Sequence, residues 1–154
     1  MDILEFRGPT RWLSNFHPQP ILWRGITFPT NEHAYQADKS ADPRIREIFA
    51  TLQKPRYAQL LGPEIRCRPD WEQDKLRVML EINRLKFANE PLREMLLATG
   101  DSQLVEGNTW HDNFWGTCLC ETCGNRGLNN LGKILMQIRQ EIGSSPVPAN
   151  LPSA

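Results

Sequence analysis

Asn31-Glu32-His33-Ala34-Tyr35-Gln36-Ala37-Asp38-Lys39 is the stretch on which the reading of this chain turns. Pro29 precedes it, and Thr30 or Asn31 supplies a helix N-cap. As a helix, the segment puts Glu32, Tyr35, Gln36 and Lys39 at i, i+3, i+4 and i+7. That is the stripe a globular helix normally fills with apolar side chains. Here it holds a carboxylate, a phenol, an amide and an amine. Ala34 and Ala37 lie opposite and are small enough for close packing. The helix is expected to bury its alanines and present the polar row to a cleft. The competing reading is a solvated face with a Glu–Lys pair.

Further helical patterns follow on the C-terminal side. Asp42-Pro43 is a cap followed by Pro at the first helical position, and Ile45, Ile48, Phe49 and Leu52 keep helical spacing. Pro55 starts a shorter helix that Gly62 ends. Residues 69–87 form a longer one, with Lys75, Met79, Ile82 and Lys86 on one face. Its lysines either snorkel or bind an anion at a pocket edge. Pro91 begins another helix, closed by Gly100, and a last helix carries Leu131, Ile134, Leu135, Ile138 and Ile142, capped by Asn129 or Asn130. Residues 3–6, 21–28 and 104–105 read as short strands, with Gly25 at a hairpin turn or bulge. The expected fold class is α+β, mainly helical, with a few short strands. One compact domain is expected over residues 1–142, followed by a Pro/Ser-rich flexible tail at 143–154.

A second cluster breaks periodicity. Residues 106–116 place Glu106, Asp112, Trp110 and Trp115 in one non-repeating stretch. Indoles over a cleft stack on a flat base or cover a sugar, and adjacent carboxylates activate water or stabilise a sugar cation. The competing reading is a loop whose aromatics plug the core. A third segment, Gly127-Leu128-Asn129-Asn130-Leu131-Gly132-Lys133, opens the last helix, whose N-terminus offers free N–H groups to a phosphate.

Composition narrows the function classes. The chain has 154 residues, with 18 Lys+Arg against 18 Asp+Glu, so any nucleic-acid contact must use a local patch. Arg44, Arg46, Lys54, Arg56, Arg66 and Arg68 are close enough in sequence to form such a rim. No stretch approaches 18 apolar residues, so no membrane partner is expected, and residues 1–9 lack the pattern of a signal peptide. The expected location is the cytoplasm, where cysteines read as thiols or ligands. Cys118, Cys120 and Cys123 offer three ligands for a structural zinc, with Cys67 or His111 as the fourth; the other reading is a loop of free thiols. No Gly-rich dinucleotide fingerprint is present, so NAD as a redox cofactor is not indicated.

The motifs together resemble one family. They are Phe6-x-Gly8, Leu13-Ser14-Asn15-Phe16, the Glu32 to Lys39 run, Arg68-Pro69-Asp70-Trp71, Lys86-Phe87, Thr99-Gly100-Asp101, Leu104-Val105-Glu106, Asp112-x-Phe114-Trp115-Gly116, and the run from Gly127 to Arg139. In order and spacing they are similar to the NADAR (YbiA-like) family, formerly a domain of unknown function. The resemblance covers residues 3–142. The Cys118 to Cys123 loop replaces a shorter glycine-rich connection seen in many members.

The resemblance implies an N-glycosidase that cuts the bond from C1′ of a phosphorylated ribose to a base nitrogen. Its substrates would be ADP-ribosyl nucleobases, including guanine in DNA, or early riboflavin-pathway ribosylaminopyrimidine phosphates. The alternative is a non-catalytic module that binds ADP-ribose or NAD. The implied catalytic set is Glu32, Lys39, Glu106 and Asp112, with Lys39 either binding phosphate or forming a Schiff base. The implied substrate-binding set is Ser14, Asn15, His33, Tyr35, Gln36, Trp71, Lys86, Trp115, Gly116 and Asn129. No cofactor is required by this chemistry. Trp71 and Trp115 are the expected cleft walls and Trp12 an edge, whereas Trp23 and Trp110 are expected to pack.

Overall fold

The Thr30 hydroxyl accepts a hydrogen bond from the His33 N–H, and helix α1 (Asn31–Asp38) follows with all eight residues buried. This computed structural model describes residues 1–145. Ala34 and Ala37 are fully buried, which lets α2 (Pro43–Thr51), α3 (Pro55–Leu61) and α4 (Trp71–Phe87) pack close around α1. Asp42 caps α2 by accepting from the Arg44 N–H at 2.9 Å, with Pro43 at the first position. α4 also packs on α6 (Asn130–Ser144) and on α5 (Leu92–Ala98), which Gly100 follows in the left-handed region. Phe28, Phe49, Met79, Ile82, Phe87, Leu96, Leu135 and Ile138 form the centre of the core.

The strands are short, as expected, and their positions are partly different. β1 (Ile21–Trp23) and β2 (Ile26–Phe28) pair antiparallel, and both turn residues, Arg24 and Gly25, have positive φ. That is the twist a two-residue hairpin requires. Residues 3–6 and 104–105 reduce to one parallel bridge between Ile3 and Leu104. A second parallel pair, β3 (Gly107–Asn108) with β4 (Thr117–Cys118), was not legible, because two residues are too few to show alternation.

One helix boundary holds and two shift. α3 ends at Leu61 with Gly62 as its C-cap, as expected, and a 3-10 turn, Gly62–Glu64, follows directly. α4 begins at Trp71, two residues after Pro69. α6 begins at Asn130 and runs through Ser144, past residue 142. Neither expected asparagine caps it by side chain: Asn129 has positive φ, accepts from the Glu106 N–H at 3.0 Å and donates to the Leu104 carbonyl at 2.9 Å. The last helix is thereby tied to the segment that carries Glu106. The Pro/Ser-rich stretch from residue 146 lies outside the described residues.

Candidate active site

The polar row of α1 faces a cavity of about 730 Å³. Glu32, Tyr35, Gln36 and Lys39 line it from α1 and its C-cap, as the helical spacing anticipated. Glu106 and Asp112 reach the same cavity from the loops beside β3, with Trp110 and Trp115. Ser14, Asn15 and Phe16 form part of the wall after a 3-10 helix, Gly8–Leu13. Three carboxylates and one amine therefore meet in a single space.

Each group is held. Glu32 Oε1 accepts from Gln36 Nε2 at 2.7 Å. Burial pushes the Glu32 carboxyl above its ordinary pKa, opposed by that hydrogen bond and by Lys39. Gly62 lies so close to Gln36 Oε1 that a Cβ there would displace the amide. One oxygen of Asp112 accepts from the Phe114 and Trp115 N–H groups at 3.1 and 2.9 Å. The Asp112 backbone N–H donates to Asn108 Oδ1, and its carbonyl accepts from Asn108 Nδ2. Gly116 permits β4 to pass against the Glu106 carbonyl, where a Cβ would collide.

Glu106 is strongly perturbed by its surroundings. Burial, then the neighbouring Asp112 and Glu32, push its carboxyl up to about 8. Its Oε2 is buried without a hydrogen-bond partner among the described residues, as is Gln36 Oε1. A buried polar atom without a partner is costly unless a ligand or water satisfies it. Burial lowers the pKa of Lys39, which stands over the Tyr35 ring at 5.6 Å. The amine is thus biased toward the neutral, nucleophilic form.

The sequence of this site has clear relatives. Residues 5–143 match the NADAR domain. The chain belongs to the NADAR family. N-glycosidase YbiA of Escherichia coli (strain K12) is 38% identical over 133 residues, covering 84% of this chain and 79% of that protein. A riboflavin biosynthesis protein of Vibrio vulnificus (strain YJ016) is 38% identical over 143 residues, covering 91% of this chain and 37% of the relative. The NMR structure of Escherichia coli YbiA superposes with a TM-score of 0.78 at 33% identity, over 93% of this chain and 84% of that one.

Five residues expected to contact substrate in this NADAR domain lie outside the cavity wall. His33 is fully buried, its ring bonded to Thr30 Oγ1 at 2.7 Å and the Leu52 carbonyl at 3.0 Å. Trp71 is 3% exposed and packs behind Tyr35, centroids 5.2 Å apart. Lys86 is buried beneath the cavity, donates to the Ser14 carbonyl at 2.7 Å, and is pushed down to about 7 by burial. Gly116 and Asn129 act through backbone packing and the Glu106 N–H, as above. These five support the wall rather than form it. Trp12 likewise packs on Phe87 and leaves the cavity edge to others.

Other lining residues had no periodic signal. Trp110, expected to pack, is 55% exposed at the cavity mouth, with the Arg7 guanidinium 5.2 Å from its ring. Arg7, Arg11 and Arg56 bring positive charge to the wall. Arg7 occupies the unspecified position of Phe6-x-Gly8, and Arg11 lies in a 3-10 helix. Three members of the expected basic rim are engaged by neighbouring groups. Arg68 is engaged by Asp38, Asp70 and Asp74, Arg44 by Asp42, and Arg46 by the Ser40 carbonyl. Of that set, Arg56 alone lines the cavity. Among the described residues no helix is long and apolar enough to cross a membrane.

Proposed function

We propose that this chain is an N-glycosidase that hydrolyses the bond between C1′ of a phosphorylated ribose and an exocyclic amine, with ribosylaminopyrimidine phosphates as the substrate class. The observation that carries the reading is the convergence of Glu32, Glu106, Asp112 and Lys39 on one indole-lined cavity. The names of its relatives, an N-glycosidase and a riboflavin biosynthesis protein, point the same way.

The chemistry follows from the protonation states. Glu106, pushed up to about 8, holds a proton at neutral pH and donates it to the furanose oxygen as the C1′–O4′ bond breaks. The resulting iminium at C1′ is stabilised by the Glu32 and Asp112 carboxylates. The Lys39 amine then adds to C1′ and its proton passes to the departing nitrogen, so the C1′–N bond breaks and the aminopyrimidine leaves. Water adds to the lysine imine, the C1′–Nζ bond breaks, and the sugar aldehyde and free Lys39 are restored, with the proton returning to Glu106. The net reaction consumes one water and involves no redox change. Arg7, Arg11 and Arg56 are suited to the phosphate.

A second substrate, an ADP-ribosyl nucleobase linked through its exocyclic amine, uses the same bond chemistry. Three arginines and a cavity of about 730 Å³ leave space and charge for a diphosphate. Incubation with both substrate classes, followed by mass spectrometry, tests the reading. Released base is expected, together with a borohydride-trapped sugar adduct on Lys39 that is lost in Lys39→Arg. Tight binding of intact ligand with no released base identifies a binding module instead and overturns the reading.

A further inference from the structure

The loop that presents Asp112 also closes a second cluster. His111, Cys118, Cys120 and Cys123 bring one ligand atom each to within 4.8 Å of one another. His111 Nδ1 lies 3.3 Å from Cys123 Sγ, 3.5 Å from Cys120 Sγ and 3.7 Å from Cys118 Sγ. One ring nitrogen has a single proton or a single lone pair, so it satisfies one sulfur and not three. The three distances instead match tetrahedron edges around zinc. With Zn–S about 2.3 Å and Zn–N about 2.05 Å, the N···S edge is about 3.5 Å. All three cysteines are free thiols.

We propose that His111, Cys118, Cys120 and Cys123 form a structural zinc site. Four protein ligands close the coordination sphere, which marks the site as structural and keeps it out of the hydrolysis. The sulfur-rich donor set selects a soft, tetrahedral ion. Supporting contacts resemble those that orient ligands in metal sites. Asn113 Nδ2 donates to Cys123 Sγ at 3.2 Å, and Asn113 Oδ1 accepts from the Cys118 N–H at 2.9 Å. His111 adopts positive φ, uncommon for a residue with a Cβ, and this turn directs its ring to the sulfurs. The sequence left Cys67 and His111 as alternatives for the fourth ligand; the geometry favours His111, and Cys67 is exposed and outside the cluster.

The position explains what the ion would do. Two ligands, His111 and Cys118, bracket the segment that holds Asp112 and Trp115. Zinc would cross-link both ends of that segment and fix the Asp112 side of the cavity before substrate arrives. This role does not depend on the glycosidase reading.

The test uses the full chain, purified without a His tag and kept reduced. Elemental analysis is expected to find one zinc per chain. After chelation, cobalt(II) titration is expected to saturate at one equivalent, with tetrahedral d–d bands and a thiolate-to-cobalt charge-transfer band that zinc abolishes. Chelation is expected to lower Tm, and zinc to restore it. Cys67→Ser is expected to leave the cobalt spectrum unchanged, whereas Cys120→Ser weakens the charge-transfer band. Absence of a tetrahedral cobalt spectrum in the reduced native chain, or its loss in Cys67→Ser, overturns the site.

Discussion

Gln36 Nε2 donates to Glu32 Oε1 at 2.7 Å, one turn along α1, so the amide holds the carboxylate in the cavity wall. The bond favours the charged form and opposes burial, which pushes the carboxyl above its ordinary pKa. If catalysis requires Glu32 ionised, activity is lost as pH falls through its folded pKa. Gln36→Leu removes the stabilising donor and raises that pKa. The acidic limb of the kcat/KM profile is therefore expected to move to higher pH. An unmoved limb would show that Glu32 is not the ionising group.

Glu106 makes the opposite demand, because the acid role proposed for it needs the proton. Its carboxyl sits near 8, so kcat is expected to decline above about pH 8 as the acid ionises. Glu106→Gln should lower kcat by about 10²- to 10⁴-fold and remove that decline. The same residue taxes stability. Its folded pKa is raised above the unfolded value, so its contribution is intact below about 4.5 and is lost as pH rises toward about 8. Across that window each pH unit costs on the order of 1.4 kcal/mol. Glu106→Gln is thus expected to raise Tm at pH 8 and to change it little at pH 4. Urea melts at the two pH values check the sign.

Helical spacing made the α1 row legible, because positions 32, 35, 36 and 39 are related by a local period that the fold preserves. The same reasoning misplaced Lys86. An amine beside an apolar stripe reads as a pocket-edge cation, yet its partner is the Ser14 carbonyl, 72 residues away. Nothing local encodes that contact. Arg7, Arg11 and Trp110 escaped for a related reason: a 3-10 helix and an irregular loop carry no periodic signal. The cysteine spacing placed three sulfurs in one loop, and the turn at His111 brings a ring nitrogen to them.

The tryptophans divide by burial rather than by motif. Trp110 is 55% exposed and carries Arg7 on its face. Trp110→Ala is expected to raise KM while changing stability by about 0.5 kcal/mol or less, as exposed substitutions do. Trp71 is 3% exposed behind Tyr35, and Trp71→Ala is expected to cost about 3–5 kcal/mol through the cavity it leaves. Substrate titrations and urea melts on the two variants separate these outcomes. Equal loss of stability in both would contradict the assignment of Trp110 to the mouth.

Asp38, the residue before Lys39, shows how burial sets the worth of an ion pair. Its side chain is fully buried and receives Arg24, Arg68 and Trp23 Nε1. The Arg24 side chain is 37% exposed and that of Arg68 8%. Water screens Arg24, so Arg24→Ala is expected to cost no more than about 1 kcal/mol. Asp38→Ala leaves the Arg68 guanidinium buried with Asp74 and Asp70 as its remaining acids. Breaking a buried pair from one side costs about 3–5 kcal/mol, and the lower half of that range is expected here because two acids remain. The Arg68 Nε–H also donates to the Asp38 carbonyl at 2.8 Å, which fixes the backbone next to Lys39. Asp38→Ala keeps that carbonyl but removes the carboxylate that holds Arg68 against it, so it is expected to lower kcat as well as stability, whereas Arg24→Ala leaves kcat near its starting value. Equal stability losses in the two variants would mean that the carboxylate is more hydrated than its burial implies.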